Sequence, residues 1–191
     1  MAKKSTYNAK DIEVLEGLEP VRKRPGMYIG STNQDGLHHL VNEVLDNSID
    51  EVLAGHATDI SFQYKKDGSI KIKDNGRGIP IDFHPKYKNK RALEVVLTTL
   101  HAGGKFNSNA YKTSGGLHGV GISVVNALSS LLQVQVFKDG KVYRQDYSKG
   151  KVKTKIKIEK CSKKLTGTEI SFIPDESLSL IHISEPTRRT Q

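Results

Sequence analysis

The sequence predicts a mixed α/β fold, on the basis of three patterns. Apolar residues recur at helical spacing through residues 36–54, which favours a helix with one buried face. Two short runs, residues 60–64 and 69–73, flank Lys66-Asp67-Gly68 and are typical of a β-hairpin. Further short runs between residues 132 and 173 have the character of strands. A chain of 191 residues is long enough for one well-buried domain built from these elements.

The remaining elements are expected in a simple order along the chain. A second helix is predicted over residues 92–100 and a third over residues 120–128, with a long loop rich in Gly, Asn, Ser and Lys between them. Loops of this length inside a compact domain are usually functional. Four strands then follow, at residues 132–138, 141–147, 152–158 and 168–173.

Charge and composition narrow the class of protein. The net charge is +9. Part of it comes from a run in which the lysines at 149, 151, 153, 155 and 157 alternate with Val152, Thr154, Ile156 and Ile158. A period of two predicts the exposed face of a strand whose other face is buried, and a surface that faces a polyanion is the alternative. The single cysteine, Cys161, excludes an internal disulfide and fits a reducing, cytoplasmic location. No run is long enough to span a membrane, and the N-terminus lacks an apolar signal core.

A polar stripe on the first helix is the strongest candidate site. Glu43, Asn47 and Glu51 stand at i, i+4 and i+8 and therefore lie along one line of the helix. On a helical wheel Glu51 falls inside the apolar arc, whereas Asp46 and Asp50 point to solvent. Because an unpaired buried carboxylate is strongly disfavoured, the stripe predicts a functional site. A solvated acidic face is the alternative, and it suits Asp46 and Asp50 better than Glu51.

A second candidate lies at the end of the predicted hairpin. Asp74 shares its parity with Ile70 and Ile72 and so continues the inward face of the strand. A buried carboxylate there can accept a hydrogen bond from an exocyclic amine such as that of adenine. Glycines at 76 and 78 permit a tight turn, and Arg77 is available to neutralise Glu51. The alternative is an Asx-type turn that only reverses the chain.

The glycine run at residues 114–121 is a third candidate. Gly116, Gly119 and Gly121 lead into the third predicted helix, where free N–H groups and the positive helix end favour an anion. Lys105 could add a positive charge. The run is neither a P-loop nor a dinucleotide-binding fingerprint, because neither spacing of glycines occurs.

Together these motifs resemble the ATP-binding fold shared by gyrase, chaperones, histidine kinases and mismatch-repair proteins. Residues 22–30, 101–106 and 114–121 are similar to the ATPase subunits of type II topoisomerases, and the resemblance runs from about Thr6 to Glu176. Residues 7–20, 84–87, 92–100 and 172–176 resemble the topoisomerase IV B subunits more than the gyrase B subunits. The resemblance implies a two-layer α/β sandwich, with helices on one face of a mixed, mostly antiparallel sheet and ATP between the layers.

The resemblance also implies a role for each matching residue. Glu43 is the general base that polarises the attacking water and His39 orients it, although a surface histidine without a role is the alternative for His39. Asn47 ligates the Mg²⁺ that bridges the phosphates, and Asp74 accepts from the adenine amine. The base pocket and its supports are implied to be Gly78, Ile79, Pro80, the Arg77–Glu51 pair and Thr168.

Other implied contacts lie in loops and at the edges of the site. The triphosphate is implied to be wrapped by Gly103, Gly104, Lys105, Gly116, Leu117, His118, Gly119, Val120 and Gly121. Tyr7 is implied to belong to an N-terminal arm that reaches the nucleotide of a partner copy. Arg144 corresponds to the arginine at the mouth of the pocket that aminocoumarin inhibitors contact.

The implied function is ATP binding and hydrolysis that closes a dimer gate and drives DNA strand passage, for decatenation or relaxation. The implied partners are a second copy of the chain, a topoisomerase A- or C-type DNA-cleaving subunit that contacts more C-terminal regions, and duplex DNA, but no membrane. Three alternatives remain: a gyrase B subunit that supports supercoiling, a non-hydrolysing ATP-binding module, and a plain basic DNA-binding module. Glu43 favours hydrolysis, because histidine kinases of this fold lack a hydrolytic base there.

The expected domain organisation has three parts. Residues 1–18 are expected to form a dimerisation arm, and residues 19–176 a C-terminally truncated ATPase domain. Residues 178–188 do not resemble the family and are similar to a translated transposon-end sequencing adapter. Residues 177–191 are therefore expected to be a non-native tail.

Overall fold

A computed structural model describes residues 14–102 and 121–178. Within these ranges the chain folds into two layers, a sheet of seven strands and a layer of helices on one of its faces. The strands lie in the order β1-β2-β9-β5-β6, and β6 then pairs with both β7 and β8. Every pairing among the described strands is antiparallel. The predicted two-layer α/β sandwich is therefore confirmed.

The strands have the following bounds. The sheet contains β1 (Ile60–Tyr64), β2 (Ile70–Asp74), β5 (Ser129–Lys138), β6 (Lys141–Ser148), β7 (Lys151–Val152), β8 (Lys157–Lys160) and β9 (Gly167–Pro174). A separate two-stranded hairpin, β3 (Phe83–His84) with β4 (Tyr87–Arg91), was not predicted from the sequence. Burial alternates along β2, where Ile70, Ile72 and Asp74 are buried and the lysines between them are partly exposed. The predicted hairpin and the inward position of Asp74 are confirmed.

The helical layer covers the inward face of the sheet. It consists of α1 (Glu19–Lys23), α2 (Gly26–Ile29), α3 (Gln34–Leu53), α4 (Ala92–Thr98) and α5 (Gly121–Ala127). The long helix α3 packs against α2, α5, β2 and β9. Its Leu40 and Val44 join Ile72, Val134 and Phe172 in the core, and each of these side chains is almost fully buried. No helix in the described ranges is both long and apolar enough to cross a membrane.

Two predictions about exposure are wrong. Asp50, expected to face solvent, is only 1% exposed, because α3 is covered by elements on more than one side and not along a single apolar arc. The strand predicted over residues 152–158 is interrupted between β7 and β8. Val152 and Ile158, expected to be buried, are 39% and 47% exposed.

The interruption has a local cause. Lys153 and Thr154 both donate their backbone N–H groups to the carbonyl oxygen of Asp146, at 2.8 and 3.2 Å. The hydroxyl of Thr154 in turn accepts from the backbone N–H of Asp146 at 3.0 Å. Since two consecutive donors use one acceptor, the regular ladder of an antiparallel pair cannot continue through this point.

Candidate functional site

The polar stripe of α3 runs from the turn after β2, which Glu51 contacts, to the start of α5, which Glu43 contacts. The side chains of Glu43 and Glu51 are each only 12% exposed. Between them, Asn47 donates its side-chain N–H to the backbone carbonyl of Glu43 at 2.8 Å. Because the nitrogen is engaged with the helix itself, the carbonyl oxygen of the Asn47 amide is the atom left to serve as a ligand.

Asp74 is held at the centre of the site by three donors. One carboxylate oxygen, Oδ1, accepts from the backbone N–H of Gly76 at 2.9 Å and of Thr168 at 3.3 Å. The other oxygen, Oδ2, accepts from the hydroxyl of Ser48 at 3.2 Å. Burial raises the pKa of Asp74 above its usual value, and the three hydrogen bonds oppose that rise. The result is a buried acceptor with one oxygen satisfied by backbone and the other shared with a single hydroxyl.

The turn after β2 is fastened to α3 by a bidentate ion pair. Arg77 donates through Nη2 to Oε1 of Glu51 at 2.7 Å and through Nε to Oε2 at 3.2 Å. Its backbone N–H also donates to the same Oε2 at 2.9 Å. A Cβ on Gly76 would lie 2.8 Å from Oε2 of Glu51, so the turn approaches the helix too closely for any side chain at this position. The predicted pairing of Arg77 with Glu51 is confirmed.

The chain after Gly78 is fixed by β9. The backbone N–H of Ile79 donates to the hydroxyl of Thr168 at 3.1 Å. Thr168 therefore contacts Asp74 through its N–H and Ile79 through its side chain. Ile79 is partly buried against the core, whereas Pro80 is exposed. Thr168 thus links Ile79 to Asp74, and the lining of a base pocket by residues 78–80 stays a prediction.

Glu43 lies at the other end of the stripe, beside the start of α5. Its Oε2 accepts from the backbone N–H of Gly121 at 3.1 Å. Its Oε1 lies 3.8 Å from Nε2 of His39, one turn earlier on the same helix. The carboxylate is thus positioned from two sides, and the arrangement fits a carboxylate that accepts a proton from a nearby water.

Several predicted site residues lie outside the described part of the chain. They are Tyr7, Gly103, Gly104, Lys105, Gly116, Leu117, His118, Gly119 and Val120. Of the predicted triphosphate loop, only Gly121 is described.

Arg144 does not join the cluster around Asp74. In β6 its neighbours Tyr143 and Gln145 are buried on the helix-facing side, and side chains alternate along a strand, so Arg144 lies on the opposite face of the sheet. There its Nε donates to Oε1 of Gln135 at 3.1 Å, and Nη1 lies 3.0 Å from Oε2 of Glu159. The contact of Arg144 with an inhibitor at the mouth of the pocket stays a prediction.

Ser48 is a residue of the site that the sequence did not predict. It follows Asn47 and is 4% exposed, and its hydroxyl contacts Asp74 across the layers. A small hydroxyl residue inside a helix has no periodic signature. Its position one residue after a polar stripe was the only available signal.

The described part of the site does not contain a metal cage made by the protein alone. In residues 14–102 and 121–178, no three His, Cys, Asp or Glu side chains cluster closely enough to hold an ion. Magnesium commonly binds through one or two protein oxygens, with phosphates and waters completing its shell. The amide oxygen of Asn47 fits that pattern as a single hard ligand.

A family model describing histidine kinase-, DNA gyrase B- and HSP90-like ATPases matches residues 32–178. The matched segment includes Glu43, Asn47, Glu51, Asp74 and Thr168 and both layers of the sandwich. The chain belongs to this ATPase family. The resemblance inferred from the motifs is confirmed.

Individual relatives in this ATPase family are components of DNA topoisomerases. The chain is 63% identical over 174 residues to the B subunit of DNA topoisomerase 4 from Rickettsia bellii, a match that covers 91% of the chain and 26% of the relative. It is 59% identical over 169 residues to the B subunit of DNA gyrase from Thermotoga maritima, a match that covers 88% of the chain and 26% of the relative. The chain therefore spans about a quarter of the length of these curated relatives.

Solved structures of ATPase domains share the fold. The 43K ATPase domain of Thermus thermophilus gyrase B, in complex with an aminocoumarin, has a TM-score of 0.73 at 44% identity, and the match covers 84% of this chain and 40% of that one. The topoisomerase IV ATP-binding domain of Francisella tularensis, in complex with a small-molecule inhibitor, has a TM-score of 0.72 at 43% identity, and the match covers 86% of this chain and 43% of that one.

Proposed function

We propose that this chain is the ATP-binding and ATP-hydrolysing domain of the B subunit of a type II DNA topoisomerase. The observation that supports the proposal most directly is that helix α3 contacts Asp74 through Ser48, the turn after β2 through Glu51 and the start of α5 through Glu43. An acceptor for a nucleotide base, a hard oxygen ligand and a carboxylate that can accept a proton are thus gathered at one end of the two layers. The similarity to topoisomerase and gyrase ATPase domains supports the same assignment.

Adenine is the base that fits the Asp74 end. Because Oδ1 is occupied by two backbone N–H groups and Oδ2 by one hydroxyl, the remaining capacity of Oδ2 can accept from one further donor. The exocyclic amine of adenine is such a donor, whereas guanine presents a carbonyl oxygen at that position. Gly78, Ile79 and Pro80 then line the base, and Thr168 holds this wall through its contact with Ile79.

The triphosphate extends from Asp74 toward Glu43. Asn47 would hold Mg²⁺ through its amide oxygen, and the ion would neutralise charge on the phosphates to which it is bound. The loops expected to wrap the triphosphate are residues 103–105 and 116–121. The backbone N–H of Gly121, beside Glu43, is the described part of that second loop.

Glu43 is the residue proposed to activate water. Hydrolysis requires a proton acceptor near the attacking water, and Glu43 is the carboxylate of the stripe nearest to α5. His39, 3.8 Å from Glu43, orients that carboxylate. Glu51 is committed to Arg77 by two side-chain hydrogen bonds and therefore stabilises the turn and does not act as a base.

In the whole protein, ATP binding is proposed to close a dimer gate that drives DNA strand passage in the cytoplasm. The proposed partners are a second copy, whose nucleotide Tyr7 reaches, the DNA-cleaving subunit, and duplex DNA. We favour topoisomerase IV over gyrase, which the identities of 63% and 59% to the respective relatives support. An assay of the full-length protein with its DNA-cleaving partner separates the two enzymes. Decatenation of DNA without supercoiling would support topoisomerase IV, and supercoiling would support gyrase.

A turnover assay on Glu43→Gln tests the hydrolytic role. The substitution keeps the size of the side chain but removes the proton acceptor, so we expect nucleotide affinity to change little and turnover to fall roughly 10²–10⁴-fold. Asp46→Asn on the same helix is the matched control, because Asp46 is partly exposed and lies off the stripe, and it should leave turnover unchanged. Equal turnover in Glu43→Gln and the unmodified chain would exclude Glu43 as the base.

A further inference from the structure

One edge of the sheet carries a large share of the chain's net positive charge. Residues 141–164 contain nine lysines and Arg144 against Asp146 and Glu159, a net charge of +8 out of the chain's +9. This segment forms β6, β7, β8 and their connections, at the end of the sheet opposite to β1. We define the lysine edge as its eight exposed lysines other than Lys149, which pairs with Asp175: Lys141, Lys151, Lys153, Lys155, Lys157, Lys160, Lys163 and Lys164.

The strand register places like charges directly opposite one another. Lys141 faces Lys160 across the β6–β8 pair, and Arg144 faces Lys157. Lys141 also faces Lys138 across the β5–β6 pair. Side chains directly opposite in an antiparallel pair are about 5 Å apart at Cβ, and like charges in such positions are destabilising. The fold therefore keeps three unfavourable cationic pairs at one edge.

Neighbouring acids offset little of this repulsion. Glu159 lies 3.0 Å from Arg144, but its side chain is 52% exposed, so solvent screens that ion pair. Among the described residues, no carboxylate forms an ion pair with Lys141, Lys157 or Lys160.

The lysines are not explained as the solvent-facing side of a half-buried strand. That explanation requires the apolar residues between them to be buried, yet Val152 and Ile158 are themselves exposed. All four residues of β8 are exposed. Strands β7 and β8 contribute little to the core, and their lysines face solvent without the packing role that the sequence pattern predicted.

We propose that the lysine edge binds the phosphate backbone of duplex DNA, independently of ATP. The eight residues of β6 span about 26 Å at the usual strand rise, and a duplex of that length carries about 15 phosphate charges. Contact with phosphates would turn the repulsive cationic pairs into favourable ones. The choice of DNA among polyanions rests on the proposed function, whereas the anion-binding character rests on the charge and register alone.

Fluorescence anisotropy with a labelled 20-base-pair duplex, without nucleotide and over a range of salt concentrations, tests the proposal. The edge variant is a single triple substitution that combines Lys141→Gln, Lys157→Gln and Lys160→Gln. The control variant Lys65→Gln, Lys66→Gln, Lys88→Gln removes the same charge from exposed positions elsewhere, in the β1–β2 turn and in β4. At 0.1 M salt we expect the edge variant to lose roughly 10²–10³-fold in affinity, its logarithmic salt slope falling by roughly 3. The control variant should stay within about threefold of the unmodified chain.

Two further measurements make the outcomes unambiguous. Because the edge variant relieves like-charge pairs, its melting temperature should equal or exceed that of the unmodified chain, which shows that lost binding is not lost folding. Titration of the same variant with an ATP analogue should be normal, so failure of the DNA proposal and failure of the nucleotide site are separable. Equal losses in the edge and control variants would overturn the proposal. The proposal would also be overturned if the unmodified chain co-sedimented with phosphatidylserine vesicles but did not bind the duplex.

Discussion

At the residue scale, the buried carboxylate of Asp74 opposes folding when it is ionised. It is 6% exposed, and burial raises its pKa above the usual value of 3.8. For an acid with a raised pKa in the folded state, the ionised form opposes folding. The cost is fully present above the folded-state pKa and is relieved as the pH falls through it. The hydrogen bonds from Gly76, Thr168 and Ser48 reduce that cost without removing it.

Asp74→Asn should therefore separate binding from stability. The Asn oxygen can still accept from Gly76 and Thr168, and its amide can donate to the Ser48 hydroxyl. That amide then faces the adenine amine donor to donor, so we expect ATP-analogue affinity to fall at least about 100-fold. The melting temperature at neutral pH should be unchanged or higher. Calorimetric titration and thermal melting measure the two effects, and retained affinity with a lowered melting temperature would contradict this description of Asp74.

At the residue scale, local periodicity predicts some of the site and not the rest. Glu51, Arg77 and Asp74 follow from helix spacing and strand parity, which depend on a few neighbouring residues. Ser48 and Asp50 are buried because other elements cover α3, and a single helical wheel does not contain that information. The proposed inhibitor contact of Arg144 rests on similarity alone, and residue-by-residue similarity carries no information on which face of a strand a side chain occupies.

At the scale of elements, the site depends on the close approach of β9 to the end of β2. Gly167 has a φ of +107°, and a Cβ there would clash with the backbone carbonyl oxygen of Asp74. Gly167 directly precedes Thr168, whose N–H holds Asp74. The glycine therefore permits the contact that positions the acceptor.

Gly167→Ala should destabilise the fold more than an alanine at an open glycine. The backbone strain and the clash together should cost roughly 3–4 kcal/mol. Gly68 has a φ of +77° with no atom within 4 Å of its Cβ position, so Gly68→Ala should cost only about 1–2 kcal/mol. Urea denaturation of both variants measures the difference. Equal losses of unfolding free energy in the two variants would show that the close approach of β9 to β2 at Gly167 does not contribute to stability.

The elements themselves were predictable to different degrees. The hairpin of β1 and β2 and the helix α3 have strong local signals, and their predicted bounds agree closely with the structure. The alternation at residues 149–158 is equally regular, but the backbone groups of Lys153 and Thr154 turn to Asp146 and break the strand. That choice of acceptor is a tertiary effect, so the pattern alone could not predict it.

At the scale of the whole molecule, Asp175 joins three parts of the fold. It follows β9, is 4% exposed, and lies 2.8 Å from Arg22 of α1 and 3.2 Å from Lys149, which follows β6. Arg22 also donates to the carbonyl of Ala127 at the end of α5 at 2.7 Å. Burial alone would raise the pKa of Asp175, but hydrogen bonds from Ser177, Arg22 and Lys149 outweigh it and lower the pKa to about 2.

Asp175→Asn should make the stability less dependent on acidic pH. The lowered pKa means that Asp175 stabilises the fold above the unfolded value of 3.8, and that this contribution disappears as the pH falls through about 2. The variant should lose on the order of 2 kcal/mol at neutral pH. Its difference from the unmodified chain should vanish as the pH approaches 2. A difference that stays constant from neutral to acidic pH would show that packing, and not charge, is responsible.

The most direct test of the central claim is a matched titration of the unmodified chain, in Mg²⁺, with non-hydrolysable analogues of ATP and GTP. The site holds an acceptor at Asp74 and fastens the neighbouring turn through the Glu51–Arg77 pair. We predict saturable binding of the ATP analogue and an affinity for the GTP analogue at least about 100-fold lower, since guanine would leave two buried acceptors facing each other. Equal affinity for the two nucleotides, or no binding of either, would contradict the assignment of the residues around Asp74 as an adenine-nucleotide site.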